Sequence, residues 1–411
     1  MQHARGQPKE HVQKENLQKE TPQQEHLQQV QPSAALAAKE NASAHQSLPV
    51  TDVQHADFNR LMNPGTEKRQ SMKGFDDDYV DIVDYIVRCT HKIWEEKGLG
   101  LIYSHYRHNA VIHTTDGMTY GRDKVIADST KMLSAFPDSR LFADDVIWSG
   151  DDEKGFHSSH RITWVGRNTG YSVYGPPTGR KIIRQGIAHC FVKENRIVEE
   201  WICRDELSLV RQLGFDEHAL ARKMAAQDAA RGSGSPRPVA QGEVERLLGQ
   251  GTPEVLPPAR DGDLEGFVRR ALHEVWNWRL LNKVDDYYVK HYVAKVSTNR
   301  QLYGWGDLKA FVLGMLAVFP DAMMSVDHVC AIGNEDDGFR VATRWTLTGT
   351  HDGPGVYGEP TGKRIYLLGI THHEIKDGKF VREWTLFDEF ALLKQLYAPE
   401  QAELVGRAAP L

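Results

Sequence analysis

Apolar positions along this chain follow helical spacing first and alternating spacing afterwards, and this order occurs twice. Each set opens with a long amphipathic helix and continues through a short helix and a strand. A third helix then ends at a Phe-Pro-Asp sequence (136–138 and 319–321), because proline disfavours helix at the preceding residue. Four strand-like segments follow in close succession, and a short helix closes each set. The order predicts an α+β fold, with N-terminal helices packed on one face of a curved antiparallel sheet.

The two sets are copies of each other. At a constant offset of 183 positions, as between Asp205 and Asp388, the second set repeats the Tyr-Gly, Val-Tyr-Gly, Pro-Thr-Gly, Gly-Ile and Glu-Trp sequences of the first. A period this long indicates a duplicated domain, since the units of solenoid repeats run roughly 20–50 residues. Residues kept in both copies are therefore candidates for shared architecture or shared chemistry.

The segments outside the copies differ in composition. Residues 1–72 are rich in Gln, Glu and Lys and poor in aromatics, so they predict a disordered tail whose removal leaves the fold intact. Residues 217–262 predict a linker, because they contain Arg-Gly-Ser-Gly-Ser-Pro and Pro-Pro, and their Ala-rich start is able to extend the preceding helix. The predicted domains are 73–216 and 263–400, with a second tail at 401–411.

Composition argues against several classes of protein. The formal net charge is −6 and no basic stripe is interleaved with aromatics, so nucleic acid is not an expected partner. The cysteines (Cys89, Cys190, Cys203 and Cys330) lack CxxC spacing and are expected to be reduced core thiols. No apolar run approaches the ~18 residues of a membrane helix, and the N-terminus lacks the apolar stretch of a secretory signal. We therefore expect a cytoplasmic protein without membrane contact.

Several motifs resemble one known family. In chain order these are Phe-Pro-Asp, Arg-x-Thr-x-x-Gly, Tyr-Gly-x-Pro-Thr-Gly followed by Arg or Lys, Gly-Ile, and Glu-Trp-x-x-x-Asp. Together they resemble the SnoaL-like polyketide cyclases and predicted ester cyclases of the nuclear-transport-factor-2-like (NTF2-like) superfamily. The resemblance implies two tandem NTF2-like cone domains, each a strongly curved sheet wrapped over helices with a pocket inside. It also implies cofactor-free acid–base chemistry (aldol cyclisation, isomerisation or a lyase reaction) on a hydrophobic carbonyl compound.

Asp205 and Asp388 occupy the position at which the resemblance implies an acid–base aspartate. Desolvation in an apolar cavity raises a carboxyl pKa toward neutrality, as such a role requires. Each Asp also directly precedes the final helix, so the alternative is an N-cap, and one carboxylate is able to do both. Arg204 beside Asp205 is expected to keep it ionised, whereas Phe387 beside Asp388 excludes water. The second copy is therefore expected to carry the chemistry.

Histidines, arginines and aromatic residues complete the candidate site. The resemblance implies that His189 and His372 assist catalysis; the alternative is a satisfied core histidine, and Glu374 shares the strand face of His372. Arg161 and Arg344 lie mid-strand, where they either pair with a carboxylate or hold a substrate carboxylate or ester carbonyl. Candidate substrate-binding residues, in addition to Arg161, Arg344 and Glu374, are the aromatic residues Trp201, Trp384, Tyr174 and Tyr357.

A metal site is not expected, and the prediction includes no cofactor. His157 and His160 fall on opposite strand faces, and His105, His108 and His113, also in the first copy, supply no helical His-x-x-x-His pair.

The expected partner is a hydrophobic small-molecule ligand or substrate. The copies are expected to pair as an internal pseudo-dimer through apolar outer strand faces (Ile162, Trp164, Trp345 and Leu347), and further homo-oligomerisation is compatible with this pairing. A non-catalytic small-molecule binder and a purely structural tandem protein stay open as alternatives.

Overall fold

The computed structural model describes residues 50–231, 253–258, 260 and 262–399. The first copy comprises α1 (Phe58–Met62), α2 (Ile82–Thr90), α3 (Ile102–His105), β1 (Tyr106–Thr114), β2 (Gly117–Tyr120), α4 (Arg122–Ala135), β3 (Arg140–Asp151), β4 (Gly155–Arg167), β5 (Lys181–Lys193), β6 (Arg196–Arg204), α5 (Glu206–Leu213) and α6 (Glu217–Ala230). The second comprises α7 (Leu264–Leu272), α8 (Val284–Tyr287), β7 (Tyr288–Val296), β8 (Arg300–Tyr303), α9 (Gly304–Val318), β9 (Met323–Asn334), β10 (Gly338–Thr350), β11 (Arg364–Lys376), β12 (Lys379–Phe387) and α10 (Glu389–Tyr397). A π-helical turn extends α2 (His91–Glu95) and α7 (His273–Asn277). Within the described residues, no helix is both long enough and apolar enough to cross a membrane.

Both copies have the same sheet topology. The strand orders are β2-β1-β6-β5-β4-β3 and β8-β7-β12-β11-β10-β9. Four strands of each sheet form the predicted antiparallel meander, and β1 and β7 join the last strand of their meander in parallel. Register shifts at Ala143/Asp145 and Arg344/Trp345 mark bulges, which bend a sheet. The predicted α+β fold in two tandem halves is confirmed, and we call each sheet with the helices on its inner face a cone.

The hairpins between the last two strands of each cone follow from local turn chemistry. Asp377 and Gly378 have φ angles of 52° and 69°, and Glu194 and Asn195 have 51° and 63°. Two consecutive residues of positive φ match the right-handed twist of the flanking strands. The Asp-Gly pair adopts this conformation readily, because glycine lacks a Cβ.

Each cone has its own apolar core between the helices and the inner sheet face. In the first cone, Ile82, Val83 and Ile86 of α2 pack on the sheet, and in the second Val268 and Val275 do so. Asp81 and Asp263 begin α2 and α7, because their side chains accept backbone N–H groups of the first turn.

The outer faces of the two sheets pack against each other. A buried cluster joins residues of both copies: Ile187, Cys203, Leu368, Ile370 and Leu386. At its edge the Thr115 hydroxyl donates to the carbonyl oxygen of Leu368 at 3.3 Å.

The four residues predicted for this contact lie on the opposite strand faces. Trp345 and Leu347 belong to the core of the second cone, and Ile162 and Trp164 pack with Phe136 inside the first. This assignment was wrong because both faces of each sheet are buried. Alternation therefore separates two apolar faces without showing which one meets the helices.

Residues 50–72 pack against the first cone, which corrects the predicted extent of the disordered tail. Val53, Leu61 and Met72 belong to its buried core. The Arg69 guanidinium lies 2.8 Å from the buried carboxylate of Asp81, and Gln70 accepts the N–H of Ile82 at 3.0 Å. A few widely spaced apolar residues anchor this segment, so a search for periodic apolar faces does not detect it. The rest of the predicted tail, 1–49, lies outside the described residues.

The start of the predicted linker is helical, as its Ala-rich composition allowed, but it forms a separate helix, α6, rather than an extension of α5. Gly214, with a φ of 83°, ends α5, so α6 is a separate element. Leu220 and Ala221 are buried in the core of the second cone. His218 Nδ1 lies 2.7 Å from the Tyr397 hydroxyl of α10.

Candidate active site and the interface between the sheets

A small cavity of about 40 Å³ lies inside the second cone. Its walls are largely apolar and combine aliphatic side chains with aromatic ones, among them Trp276, Tyr288, Phe311 and Trp345. Its polar lining comes from the central strands β11 and β12: Thr371, His373, Glu383 and Thr385. An apolar cavity with a few convergent polar groups is the usual form of a ligand site.

His373 and Glu383 form a buried pair in this cavity. They are cross-strand partners on β11 and β12, so their side chains project to the same side. His373 Nδ1 donates to Glu383 Oε1 at 2.6 Å, and His373 Nε2 lies 3.1 Å from Thr343 Oγ1. Tyr292 donates its hydroxyl to Glu383 Oε2. A carboxylate that orients imidazole through Nδ1 leaves Nε2 to exchange a proton.

The first cone keeps the carboxylate and lacks the imidazole. Cys190 faces Glu200 across β5 and β6, at the positions of His373 and Glu383. The Tyr106 hydroxyl donates to Glu200 at 3.0 Å. Burial raises the pKa of both Glu200 and Cys190, so the Cys190 thiol is no base near neutral pH.

Asp205 is the N-cap of α5 and Asp388 is the N-cap of α10, in agreement with the capping alternative. Asp388 accepts the N–H of Ala391 at 2.9 Å, and Asp205 that of Ser208 at 3.2 Å. Burial raises the pKa of Asp205 to about 6. Burial, together with the charge of Glu206, raises the pKa of Asp388 well above its usual range.

The expected ionising effect of Arg204 on Asp205 was wrong. The charge of Arg204 acts instead on Glu200 and Glu206, whose pKa values it lowers against the effect of burial. Neither Asp205 nor Asp388 lines the cavity of the second cone, so a catalytic role for either stays a prediction.

His189 and His372 lie at the interface between the sheets, outside both cones. His372 Nε2 lies 2.8 Å from the Ser159 hydroxyl of the other copy, and its Nδ1 lies 3.9 Å from Asp145 Oδ2. Burial lowers the pKa of both imidazoles well below its usual value. Glu374 does not orient His372: its carboxylate accepts from Gln54 at 3.3 Å and lies 3.5 Å from Arg382.

Arg161 and Arg344 stack on tryptophans of the opposite copy. Arg161 Cζ lies 4.1 Å from the centroid of the Trp384 ring, and Arg344 Cζ lies 3.5 Å from that of Trp201. Arg161 also lies 3.8 Å from Asp144. Arg161 therefore pairs with a carboxylate, as one alternative predicted, but this pair lies between the sheets and not inside a cone.

A larger cavity of about 270 Å³ lies at this interface. Trp201 lines it from the first copy, and the second copy contributes Asp327, Arg344, Thr346, Thr348, Tyr366 and Leu368. Two of the predicted substrate-binding residues, Arg344 and Trp201, therefore meet at one cavity. Burial raises the pKa of Asp327 to about 6, against the opposing effect of Arg344.

Tyr174 and Tyr357 bind the final helices. Tyr357 donates to Glu389 and Tyr174 to Glu206, each at 2.6 Å. These contacts hold the loops before β5 and β11 against α5 and α10. Neither tyrosine lines the two cavities described above.

Three histidines that sequence reasoning did not connect meet between the sheets. His157, His189 and His328 each place one ring nitrogen within 4.8 Å of the others. The rings of His157 and His328 stack with centroids 4.1 Å apart, and those of His189 and His328 are 4.9 Å apart. His157 and His189 belong to the first copy and His328 to the second, so spacing within one copy does not connect them. We call these residues the histidine cluster.

The equivalent point of the interface has different chemistry. At the offset of 183 positions, Arg340, His372 and Asp145 correspond to His157, His189 and His328. There the Arg340 guanidinium lies 2.6 Å from Asp145 Oδ1. The residues at the positions equivalent to the histidine cluster therefore include an ion pair, Arg340 with Asp145.

Solved structures similar to this chain each match about one copy. A protein from Jannaschia sp. CCS1, provisionally assigned as a SnoaL-like polyketide cyclase, is 20% identical; the match covers 36% of this chain and 99% of that one, with a TM-score of 0.31. AclR from Streptomyces galilaeus, provisionally assigned as a hydroxylase, is 24% identical, with coverage of 33% and 96% and a TM-score of 0.28. TsrD from Streptomyces laurentii is 20% identical, with coverage of 32% and 94% and a TM-score of 0.29.

The family comparison covers most of both cones. No curated protein matches the chain with significant sequence similarity. The family described as SnoaL-like polyketide cyclase matches residues 84–213 and 267–396. This chain therefore belongs to the SnoaL-like polyketide cyclase family, with two tandem copies of its domain.

Proposed function

We propose that this protein is a cyclase that closes a ring in a hydrophobic carbonyl compound by acid–base chemistry in the second cone. We further propose that His373 and Glu383 form the acid–base pair, in place of His372 and Asp388. The observation that carries this proposal is the 2.6 Å contact between His373 Nδ1 and Glu383 Oε1 inside a largely apolar cavity. Membership of the family supports a cyclase-type reaction.

The chemistry of the pair fits an intramolecular aldol closure. Nε2 of neutral His373 takes a proton from the carbon next to a carbonyl group, and the resulting enolate carbon bonds to a second carbonyl carbon of the same molecule. The alkoxide formed there takes the proton back from the imidazolium, so the product is an isomer of the substrate. Glu383 stabilises the imidazolium, because opposite charges interact strongly in a cavity that excludes water. Because Nδ1 donates to Glu383, Nε2 accepts the Thr343 hydroxyl at 3.1 Å, and this hydroxyl has to turn away before Nε2 takes the proton of the substrate.

The size of the cavity limits what it holds. At about 40 Å³ it is smaller than the roughly 300–1,000 Å³ of typical ligand pockets. Trp276 and Phe311 line the cavity, are only half-buried, and meet edge to face with centroids 6.2 Å apart. We propose that the substrate enters by displacing these two rings and that the reacting carbonyls reach His373.

The proposal is tested with linear poly-β-carbonyl esters as probes, by following isomeric ring-closed products with mass spectrometry and NMR. His373→Gln and Glu383→Gln are expected to lower kcat by about 100-fold or more, the contribution of a positioned acid–base group. His291→Gln, on an exposed site of β7, is the matched control, and thermal denaturation confirms folding. Asp388→Asn is expected to keep most of the turnover. Loss of turnover in Asp388→Asn with full activity in His373→Gln would place the chemistry at Asp388.

The cavity between the sheets supports a second candidate function, non-catalytic binding of a small molecule. Its volume of about 270 Å³ is the larger of the two, and it offers the Arg344 guanidinium beside the Trp201 indole. This combination suits a ligand with a carboxylate and a flat ring. Untargeted mass spectrometry of ligands released from the purified protein tests it. A ligand retained by His373→Gln and lost in Arg344→Met supports the binder, and the opposite pattern supports the cyclase.

We also propose that the protein works in the cytoplasm. Cys89, Cys190, Cys203 and Cys330 are all free and buried, which suits a reducing compartment. Fractionation of the native host, with detection by antibody, tests this assignment.

A further inference from the structure

The histidine cluster leaves buried ring nitrogens without hydrogen-bond partners. His189 is fully buried, and neither of its ring nitrogens has a partner within the described part of the chain. The same holds for Nδ1 of His157 and Nδ1 of His328. A buried polar atom without a partner destabilises the folded state, because it has lost its hydrogen bonds to water. Three such rings that converge from two copies point to one shared partner.

We propose that His157, His189 and His328 bind a divalent transition-metal ion of the zinc type between the two sheets. Neutral imidazole nitrogen is a preferred ligand of zinc, and three protein ligands leave a fourth position open. Their ring nitrogens lie within 4.8 Å of one another. A tetrahedral ion needs ligand nitrogens about 3.4 Å apart, given metal–nitrogen distances of about 2.0–2.1 Å. Binding therefore requires the rings to rotate so that their nitrogens converge on the ion.

The equivalent location in the other half of the interface shows why a cation fits here. There the cation is the guanidinium of Arg340, bound by Asp145 at 2.6 Å and close to His372. In the histidine cluster, the arginine and the aspartate are both replaced by imidazoles. The related point binds its cation through a carboxylate, whereas the histidine cluster offers imidazole lone pairs, which are ligands for a metal ion.

The surroundings limit the strength of binding and indicate the fourth ligand. Arg344 is the cross-strand partner of His328, and its positive charge opposes a second cation. The carboxylates of Asp327 and Glu199 act on Arg344 and offset part of this repulsion. Arg344 and Trp201 also line the cavity of about 270 Å³. The fourth position is therefore suited to water or to an anionic group that enters from this cavity. The proposal does not depend on chemistry in the second cone.

The test is a calorimetric titration of the full chain with Zn²⁺ after removal of metal by a chelator. We expect one equivalent to bind to the native protein and the affinity for it to fall by at least about tenfold in His157→Ala and in His328→Ala. His108→Ala, which removes an exposed ring of β1, is the matched control and should bind like the native protein. Histidines at positions 3, 11, 26 and 45 are unchanged in every variant, so any binding by them persists.

A spectroscopic arm separates ligation from folding. Co²⁺ in place of Zn²⁺ should give the visible absorption of a tetrahedral nitrogen-ligated ion in the native protein and in His108→Ala. This absorption should be absent in His328→Gln, whose side chain keeps polar character if the alanine variant does not fold. Two results overturn the proposal: no stoichiometric binding to the native protein, or the same affinity and spectrum in the cluster variants as in the control.

Discussion

The guanidinium of Arg344 lies over the indole ring of Trp201, with 3.5 Å between Cζ and the ring centroid. The two residues belong to different copies, and Arg161 and Trp384 repeat the contact at 4.1 Å in the related half of the interface. Each arginine thus connects the sheet of its own copy to the sheet of the other copy. Because a desolvated cation–π contact contributes about 2 kcal/mol, this pair of contacts stabilises one docking of the two sheets.

We predict a measurable coupling between Arg344 and Trp201. A double-mutant cycle with Arg344→Ala and Trp201→Ala, followed by urea unfolding, should give a coupling free energy of about 1–2 kcal/mol. Arg122 over Tyr103, at 5.0 Å and with an exposed tyrosine ring, is the control pair and should couple by less than about 1 kcal/mol. A coupling at the interface no larger than at the control pair would show that the stacking contributes little.

Residues 50–72 should contribute to stability, in contrast to the prediction from composition. Leu61 is 6% exposed in the core of the first cone, so Leu61→Ala should lower the free energy of unfolding by about 2–5 kcal/mol. The exposed Glu67→Ala should change it by less than about 0.5 kcal/mol. A chain that begins at Gly74 should be less stable than one that begins at Val50. Equal thermal midpoints for these two chains would contradict the packing role.

Acidification should destabilise the protein through His160. Burial, together with the charge of Arg161, lowers the pKa of His160 from 6.5 to about 3. Between pH 6.5 and 3 the His160 side chain is therefore protonated in the unfolded chain and neutral in the folded protein. The stability that neutral His160 allows is fully present above pH 6.5 and is lost as pH falls toward 3. The free energy of unfolding falls by at most about 1.4 kcal/mol per pH unit.

The matched variant for this effect comes from the second copy, which has Thr343 at the position of His160. His160→Thr should reduce the pH dependence of the free energy of unfolding between pH 6.5 and 4.5, whatever its effect at neutral pH. His108→Thr, at an exposed site, should leave the slope unchanged. Parallel pH profiles for native protein and His160→Thr would rule out this role of His160.

The four cysteines should be unreactive in the folded protein. Burial raises the pKa of Cys89 and Cys330 to about 12, and it also raises the pKa of Cys190 and of Cys203. The thiolate is the reactive form, so iodoacetamide at neutral pH should label none of them in the native state and all four in urea. Intact-mass spectrometry counts the labels. Rapid labelling without urea would mean that the interface around Cys203 opens.

The sequence by itself determined the duplication and the order of elements in each cone. The constant offset between Asp205 and Asp388, the Phe-Pro-Asp helix ends and the Asp377-Gly378 turn are local or periodic signals, and the structure agrees with each. The sequence also showed that an aspartate directly precedes α5 in the first copy and α10 in the second. The capping alternative for that aspartate depended only on its immediate neighbours.

Only the tertiary structure decided which strand faces form the cone interior and which form the interface. His372 and His373 are adjacent, yet one contacts Ser159 of the other copy and the other pairs with Glu383 inside the cone. Alternation assigns them to opposite faces but does not name the faces, because both are buried. The histidine cluster depended on the docking of two sheets, which brings His328 to His157 and His189. Such a contact has no signal in local spacing, since it depends on how apolar surfaces distant in sequence pack together.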